Sequence, residues 1–154
     1  MSRLDRHFAD YAAHHQNGWN KATHTLGIPM IVLALFGLAS RVVLLPLSES
    51  MTLDLGLILG LILIGIYLAW HPLLAIVTAL ICIPLYLGGS MLPTGWLLGI
   101  LAVGVGLQYL GHLAFEGKNP AFHRNLIHTL VGPLWMVALL ASALGLYRFR
   151  QGAD

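Results

Sequence analysis

Between Asp54 and Glu116 the chain has 61 consecutive residues without a single Asp, Glu, Lys or Arg. The stretch is rich in Leu, Ile, Gly and Val. A soluble domain in a chain of 154 residues could not bury so long an apolar run. A helix that crosses a bilayer needs only about 20 apolar residues to span the hydrocarbon core. We therefore interpret the run as three consecutive membrane helices.

The composition of the whole chain agrees with this interpretation. Charged residues make up 9% of the sequence, whereas about 25% is usual in soluble domains. The formal net charge of +2 is small and scattered, so no nucleic-acid partner is expected. The first 20 residues are polar and lack an apolar core, so a cleavable signal peptide is not expected. Residues 1–154 are expected to form a single membrane domain.

Five apolar segments are separated by polar or Gly- and Pro-containing turns. An amphipathic helix, expected to lie at the membrane interface over residues 3–19, precedes them, because Leu4, Phe8, Tyr11 and His15 recur on one helical face. The predicted fold is an all-α integral membrane bundle of about five transmembrane or membrane-embedded helices. The predicted segments are 25–47, 53–70, 73–91, 95–115 and 126–147.

All eight histidines fall on one side of the membrane if the chain crosses it five times. The same side carries five basic residues (Arg3, Arg6, Lys21, Lys118 and Arg124), against three on the other side. This excess favours the histidine-rich side as cytoplasmic. The expected location is the bacterial inner membrane.

Two groups of residues could carry chemistry at this edge. The first is His14-His15, Asn20 and His24, since imidazole binds Fe, Zn, Cu or Ni and an amide can orient a ligand or a water molecule. Alternatively, His14 and His15 are solvated and His24 caps a span.

The second group is Gln108, His112 and Glu116, spaced i, i+4, i+8 along one helical stripe. Glu116 could bind a metal together with His112 or orient a ligating histidine from outside. Alternatively, His112 and Glu116 form a buried hydrogen-bonded pair that fixes helix packing. His128 enters the last segment at the same level, and a ligand or substrate role there competes with a packing role.

The two blocks resemble those of the membrane 2-hydroxy-fatty-acid dioxygenase family, whose eukaryotic members act in phytosphingosine breakdown. The resemblance rests on Tyr11, His15-x4-Asn20-x3-His24, Gly27-Ile28-Pro29, Gln108-x2-Gly111-His112-x3-Glu116-x3-Pro120-Ala121, Asn125 and Gly132-Pro133. It implies an Fe(II)- and O2-dependent α-oxidation that shortens a 2-hydroxy fatty acid by one carbon. The metal ligands it implies are His15, His24 and His112, with Glu116 as a fourth ligand or an outer partner. We expect Glu116, Asn20 and His128 to take part in catalysis.

The expected partners are a 2-hydroxy fatty acid and membrane lipid. The alternative function is a small transporter that conducts protons or metal ions along intramembrane His and Glu side chains. A transporter needs polar groups through the whole membrane depth, whereas here they gather at one edge. A third interpretation is an assembly protein whose histidines are structural. The oligomeric state is left open.

Overall fold

The computed structural model describes residues 2–48, 52–119 and 126–148. Within these ranges the chain forms six α-helices, one π-helical segment and two short strands, which confirms the all-α class. The elements are α1 Arg3–Ala13, α2 Gly18–Ala39, β1 Val43–Pro46, β2 Thr52–Asp54, α3 Leu55–Trp70, α4 Pro72–Met91, α5 Thr94–Leu110, the π-helical segment Gly111–Glu116 and α6 Ile127–Ala143.

Three of these helices are long and apolar enough to cross a membrane. They are α2, α4, and α5 together with its π-helical continuation, which runs from Thr94 to Glu116. The apolar helices α3 and α6 have 16 and 17 residues. At 1.5 Å per residue they extend about 25 Å, somewhat less than the ~30 Å hydrocarbon core. The helices are thus consistent with a membrane protein.

The first predicted boundaries differ from the observed ones. The helix predicted over 3–19 ends at Ala13, and α2 begins at Gly18 rather than at residue 25. The new start has a local cause, because the Asn17 side chain accepts a hydrogen bond from the Trp19 N–H and caps the helix.

The prediction that the first apolar helix extends to residue 47 is wrong. The helix α2 ends at Ala39, and β1 pairs antiparallel with β2 in a small hairpin. The β-branched pair Val42-Val43 and the following Pro46 favour extended backbone over helix. The hairpin is minor and leaves the all-α class unchanged.

The amphipathic helix α1 has its apolar face covered by protein. Leu4, Phe8 and Tyr11 are buried and share one core cluster with Trp135 and Ala138 of α6. The face that was expected to lie on the membrane interface thus docks on the last helix. This docking brings the turn after α1, which carries His15, to the start of α2.

Helix α2 is the centre of the bundle and packs mainly against α5 and α4. It approaches α4 closely where two glycines meet: a Cβ on Gly37 would lie 2.5 Å from the Gly89 carbonyl oxygen. The histidine end of α2 lies beside the π-helical segment, and its other end lies beside the start of α5. Two antiparallel helices thereby carry the polar residues of both sequence blocks to one end of the bundle.

Candidate metal centre and adjoining cavity

Three histidines from three separate elements meet at this end of the bundle. His15 lies in the turn before α2, His24 on α2 and His112 on the π-helical segment, and the exposed fraction of each is 4% or less. One nitrogen from each ring lies within 4.8 Å of the others. Among residues 2–48, 52–119 and 126–148 this is the one group of three or more His, Cys, Asp or Glu side chains arranged to hold a metal ion.

Hydrogen bonds to the backbone fix the orientation of two of these rings. The Nδ1 of His15 donates to the Tyr11 carbonyl at 2.8 Å, and the Nδ1 of His24 donates to the Asn20 carbonyl at 2.9 Å. Because a carbonyl can only accept, each proton sits on Nδ1 and each Nε2 carries a lone pair. The two Nε2 atoms face each other at 3.2 Å. Two nitrogens bound about 2.1 Å from one metal ion would lie about 3.0–3.4 Å apart, so the pair fits a shared metal ion.

Burial keeps the first of these histidines in a form that could bind a metal ion. Desolvation lowers the pKa of His15 to about 3, although its hydrogen bond to Tyr11 acts in the opposite direction. At neutral pH the imidazole is therefore uncharged. Only a neutral imidazole can bind a metal ion through its lone pair.

The π-helical segment changes the geometry of the second sequence block. The segment has i→i+5 hydrogen bonds and a wider turn than an α-helix. His112 contributes to the histidine group, while Glu116 lies outside it. The Glu116 carboxylate instead accepts hydrogen bonds from the Asn17 backbone N–H at 2.8 Å and from the Asn20 side chain at 3.2 Å. It ties the π-helical segment to the turn that carries His15.

Close contact between the π-helical segment and α2 depends on Gly111. A Cβ at this position would lie 2.3 Å from both the Asn20 and the Thr23 side-chain oxygens. Asn20 itself is fully buried. Its backbone orients His24, and its side chain binds Glu116.

His128 lies apart from the group of three. Its Nε2 is 2.8 Å from a carboxylate oxygen of Asp10 on α1, and its side chain is 4% exposed. Sequence reasoning missed Asp10, because 118 residues separate it from its partner and no local pattern connects them.

The remaining described histidines take no part in the group. His14 is half-buried and bonds to the Asp10 carbonyl, His7 stacks on Trp70, and the ring of His71 meets Tyr147 edge-on. His123 lies outside the described residues.

A cavity of about 290 Å³ adjoins the three histidines. At one end it is lined by their rings, by Tyr11 and by His128. It then follows α2 past the apolar side chains Ile28, Ile31, Val32 and Leu35. From His24 to Leu35 the helix advances about 16 Å, and Leu35 is 51% exposed. The cavity is therefore polar at the histidine end, apolar along its length and open to the surface.

Comparison with known proteins identifies the family. No curated protein and no solved structure matches the chain significantly. The family model described as 2-hydroxy-palmitic acid dioxygenase Mpo1-like matches residues 1–144. That range includes the three histidines, Glu116 and every residue named above as lining the cavity. The chain therefore belongs to the 2-hydroxy-palmitic acid dioxygenase Mpo1-like family.

Proposed function

We propose that the protein is an iron-dependent dioxygenase that shortens 2-hydroxy fatty acids by one carbon. The observation that carries this proposal is the cavity, because it joins three metal-binding imidazoles directly to an apolar path along α2. A fatty acid has the same two-part character, with one polar end and a long apolar chain. The family description names the same class of substrate.

The balanced reaction consumes one O2 for each 2-hydroxy acid. The bond between C1 and C2 breaks, C1 leaves as CO2, C2 becomes the new carboxyl carbon, and water is formed. O2 takes up the four electrons that the substrate loses. Iron held by His15, His24 and His112 would supply the redox chemistry of this step.

The protein's own residues have four tasks in this proposal. The three imidazoles, in their neutral form, hold the metal. The carbonyls of Tyr11 and Asn20 keep two of the rings turned towards it. Glu116 and the Asn20 side chain hold the turn that carries His15.

The third task belongs to His128. It lines the cavity with its Nε2 bonded to Asp10, so its Nδ1 is the atom that could accept or return a proton of the substrate. The apolar side chains of α2 surround the chain of the fatty acid and exclude water.

We also propose that residues 1–154 form a single domain in the bacterial inner membrane, with the histidine end on the cytoplasmic side.

A proton or metal conductor fits the cavity less well, because the cavity lining beyond Gln108 is apolar. Such a lining favours a lipid chain over an ion.

The deciding experiment compares His112→Ala with His14→Ala. Both variants, and the unchanged chain, are purified in lipid nanodiscs and loaded with Fe(II) without O2. We expect His112→Ala to lose most of its iron and its O2-dependent consumption of 2-hydroxyhexadecanoate, because two imidazoles leave the metal site incomplete. His14→Ala should keep both within about twofold, since His14 lies outside the group.

Two results would contradict the proposal in different ways. Normal turnover in His112→Ala would reject the metal site. Failure of the iron-loaded unchanged chain to consume the acid in air would reject the reaction. Helix content measured by circular dichroism shows whether each variant is folded.

A further inference from the structure

One polar side chain in the cavity has no task in the proposed metal centre. Gln108 lies on α5, is 8% exposed and lines the cavity. It precedes His112 by four residues, which places it about 6 Å further from the histidine end of the bundle. Gln108 is therefore located at the point where the lining changes from imidazole to apolar side chains.

The amide nitrogen of Gln108 is buried and has no hydrogen-bond partner among the described residues. Buried polar groups in native proteins nearly always have a partner, so each exception requires an explanation. An apolar residue of the same size, such as Met, would avoid the cost of burying the amide. A ligand oxygen in the cavity would supply the missing acceptor.

The neighbouring helix leaves room for this amide. A Cβ on Gly27 of α2 would lie 2.3 Å from the Gln108 Nε2 and 2.9 Å from the Gly104 carbonyl oxygen. Glycine at position 27 therefore allows α2 to pack against α5 while the amide stays in place. Such close packing fixes the depth of the Gln108 amide at the wall of the cavity.

We infer that Gln108 donates a hydrogen bond to the oxygen on C2 of the fatty acid and so selects 2-oxygenated acids over plain ones. This inference rests on the proposed function, in which the carboxylate lies at the histidines and the chain follows Ile28 to Leu35. With that orientation C2 lies next to the carboxylate on the apolar side, which is the side on which Gln108 lies. An acid without an oxygen on C2 would leave the donor unpaired, and sites of this kind discriminate strongly against such analogues.

The test measures binding rather than turnover. The unchanged chain, Gln108→Met and Ile28→Ala are placed in nanodiscs with equal iron content and titrated without O2. The three ligands are hexadecanoate, 2-hydroxyhexadecanoate and 2-oxohexadecanoate. Gln108→Met keeps the side-chain volume and removes the donor. Ile28→Ala is the matched control. It removes apolar contact in the cavity one helical turn after His24 and leaves every hydrogen-bond donor in place.

We expect the unchanged chain to bind both 2-oxygenated acids more tightly than hexadecanoate. In Gln108→Met this preference should fall about tenfold, the usual effect of losing one hydrogen bond, while the Kd for hexadecanoate changes little. Ile28→Ala should weaken all three acids by a similar factor and keep the preference. The 2-oxo acid shows whether an oxygen acceptor alone is sufficient, and this measurement needs no variant.

The assignment is overturned if Gln108→Met keeps the full preference, or if the unchanged chain binds the 2-oxo acid no better than hexadecanoate. These failures differ from failure of the proposed function. Turnover of 2-hydroxyhexadecanoate with an unchanged preference in Gln108→Met would reject the role of Gln108 alone. Selective binding of 2-oxygenated acids without turnover in air would reject the reaction and leave the role of Gln108 standing.

Discussion

Glu116 shows how one side chain stabilises a site that it does not complete. Its carboxylate accepts hydrogen bonds from the Asn17 N–H and the Asn20 side chain. These bonds attach the turn between α1 and α2 to the π-helical segment. That turn carries His15, the histidine of the group with the least support from regular secondary structure. Removing the carboxylate should therefore loosen one candidate ligand while the other two remain on their helices.

We expect Glu116→Ala to weaken iron binding by about 10–100-fold, the usual effect of losing a residue that orients a metal ligand. Glu116→Gln should retain most of the affinity, because its amide oxygen can still accept a hydrogen bond from Asn17. Competition with a fluorescent chelator measures both affinities. Equal and severe losses in the two variants would instead identify Glu116 as a direct ligand.

The histidines of the site could be predicted from sequence, but several of their partners could not. Ionisable side chains within apolar segments are rare and usually functional, which drew attention to His24 and His112. The stripe from Gln108 to Glu116 was predicted with α-helical spacing, whereas its last part, from Gly111 to Glu116, is π-helical and Glu116 lies outside the histidine group. Asp10 could not be predicted, because its partner His128 is remote in sequence. The role of Gly111 becomes clear only from the packing of the π-helical segment against α2.

The bundle depends on close approach between the helices α2 and α4. A Cβ on Gly89 would lie 2.5 Å from the Leu33 carbonyl oxygen, and one on Gly37 would be equally close to the Gly89 carbonyl oxygen. Backbone atoms cannot move aside as a side-chain tip can. The two helices must therefore separate if either glycine gains a side chain.

We expect Gly89→Ala to destabilise the folded bundle by about 1–3 kcal/mol, the usual cost of overpacking. The matched control is the neighbouring Gly88→Ala, since a Cβ there meets nothing within 4 Å. That variant should be neutral or more stable by up to about 1 kcal/mol, because Ala favours helix over Gly. Loss of helical circular dichroism during titration with a denaturing detergent compares the two. Equal stability of both variants would show that α2 and α4 are less closely packed.

Long apolar runs made the helices predictable, whereas the irregular elements were not. The helices α3, α4 and α5 begin within two residues of their predicted positions, because the His71-Pro72 turn and the polar residues near Pro93 interrupt the hydrophobic pattern. The hairpin was missed because an apolar pattern in residues 42–47 suits a helix in lipid as well as a strand. No feature of the sequence signals the π-helical turn except two glycines, Gly111 at its first position and Gly117 directly after it.

For the whole molecule, the helices place the histidines and the hairpin at opposite ends. Helix α2 begins beside the histidine group and ends at Ala39, nine residues before Ser48, and α5 runs in the opposite direction to reach Glu116. The Arg41 side chain donates to the Leu92 carbonyl oxygen, which links the ends of α2 and α4 at the hairpin end. If α2 and α5 cross the bilayer, the two ends face different compartments.

We expect single cysteines at Lys118 and Ser48, introduced into a Cys82→Ser background, to be labelled from opposite sides. A membrane-impermeant maleimide applied to inverted inner-membrane vesicles should label Lys118→Cys, and the same reagent applied to spheroplasts should label Ser48→Cys. Labelling of both positions from one side would contradict the crossing of α2 and α5. The reverse pattern would keep the crossing and invert the orientation.

The docking of α1 on α6 has a consequence for how the protein is made. Ribosomes synthesise α1 first, yet the surface that covers Leu4, Phe8 and Tyr11 includes Trp135 and Ala138, which are translated more than 120 residues later. During that interval the apolar face of α1 has the lipid surface as its available cover. The cluster that holds α1, and with it the Tyr11 carbonyl that bonds His15, is complete only when α6 has been inserted. If the three histidines bind a metal ion, we therefore expect its acquisition to be a late event in biogenesis, because a nascent chain that stalls before α6 would lack the surface on which α1 docks.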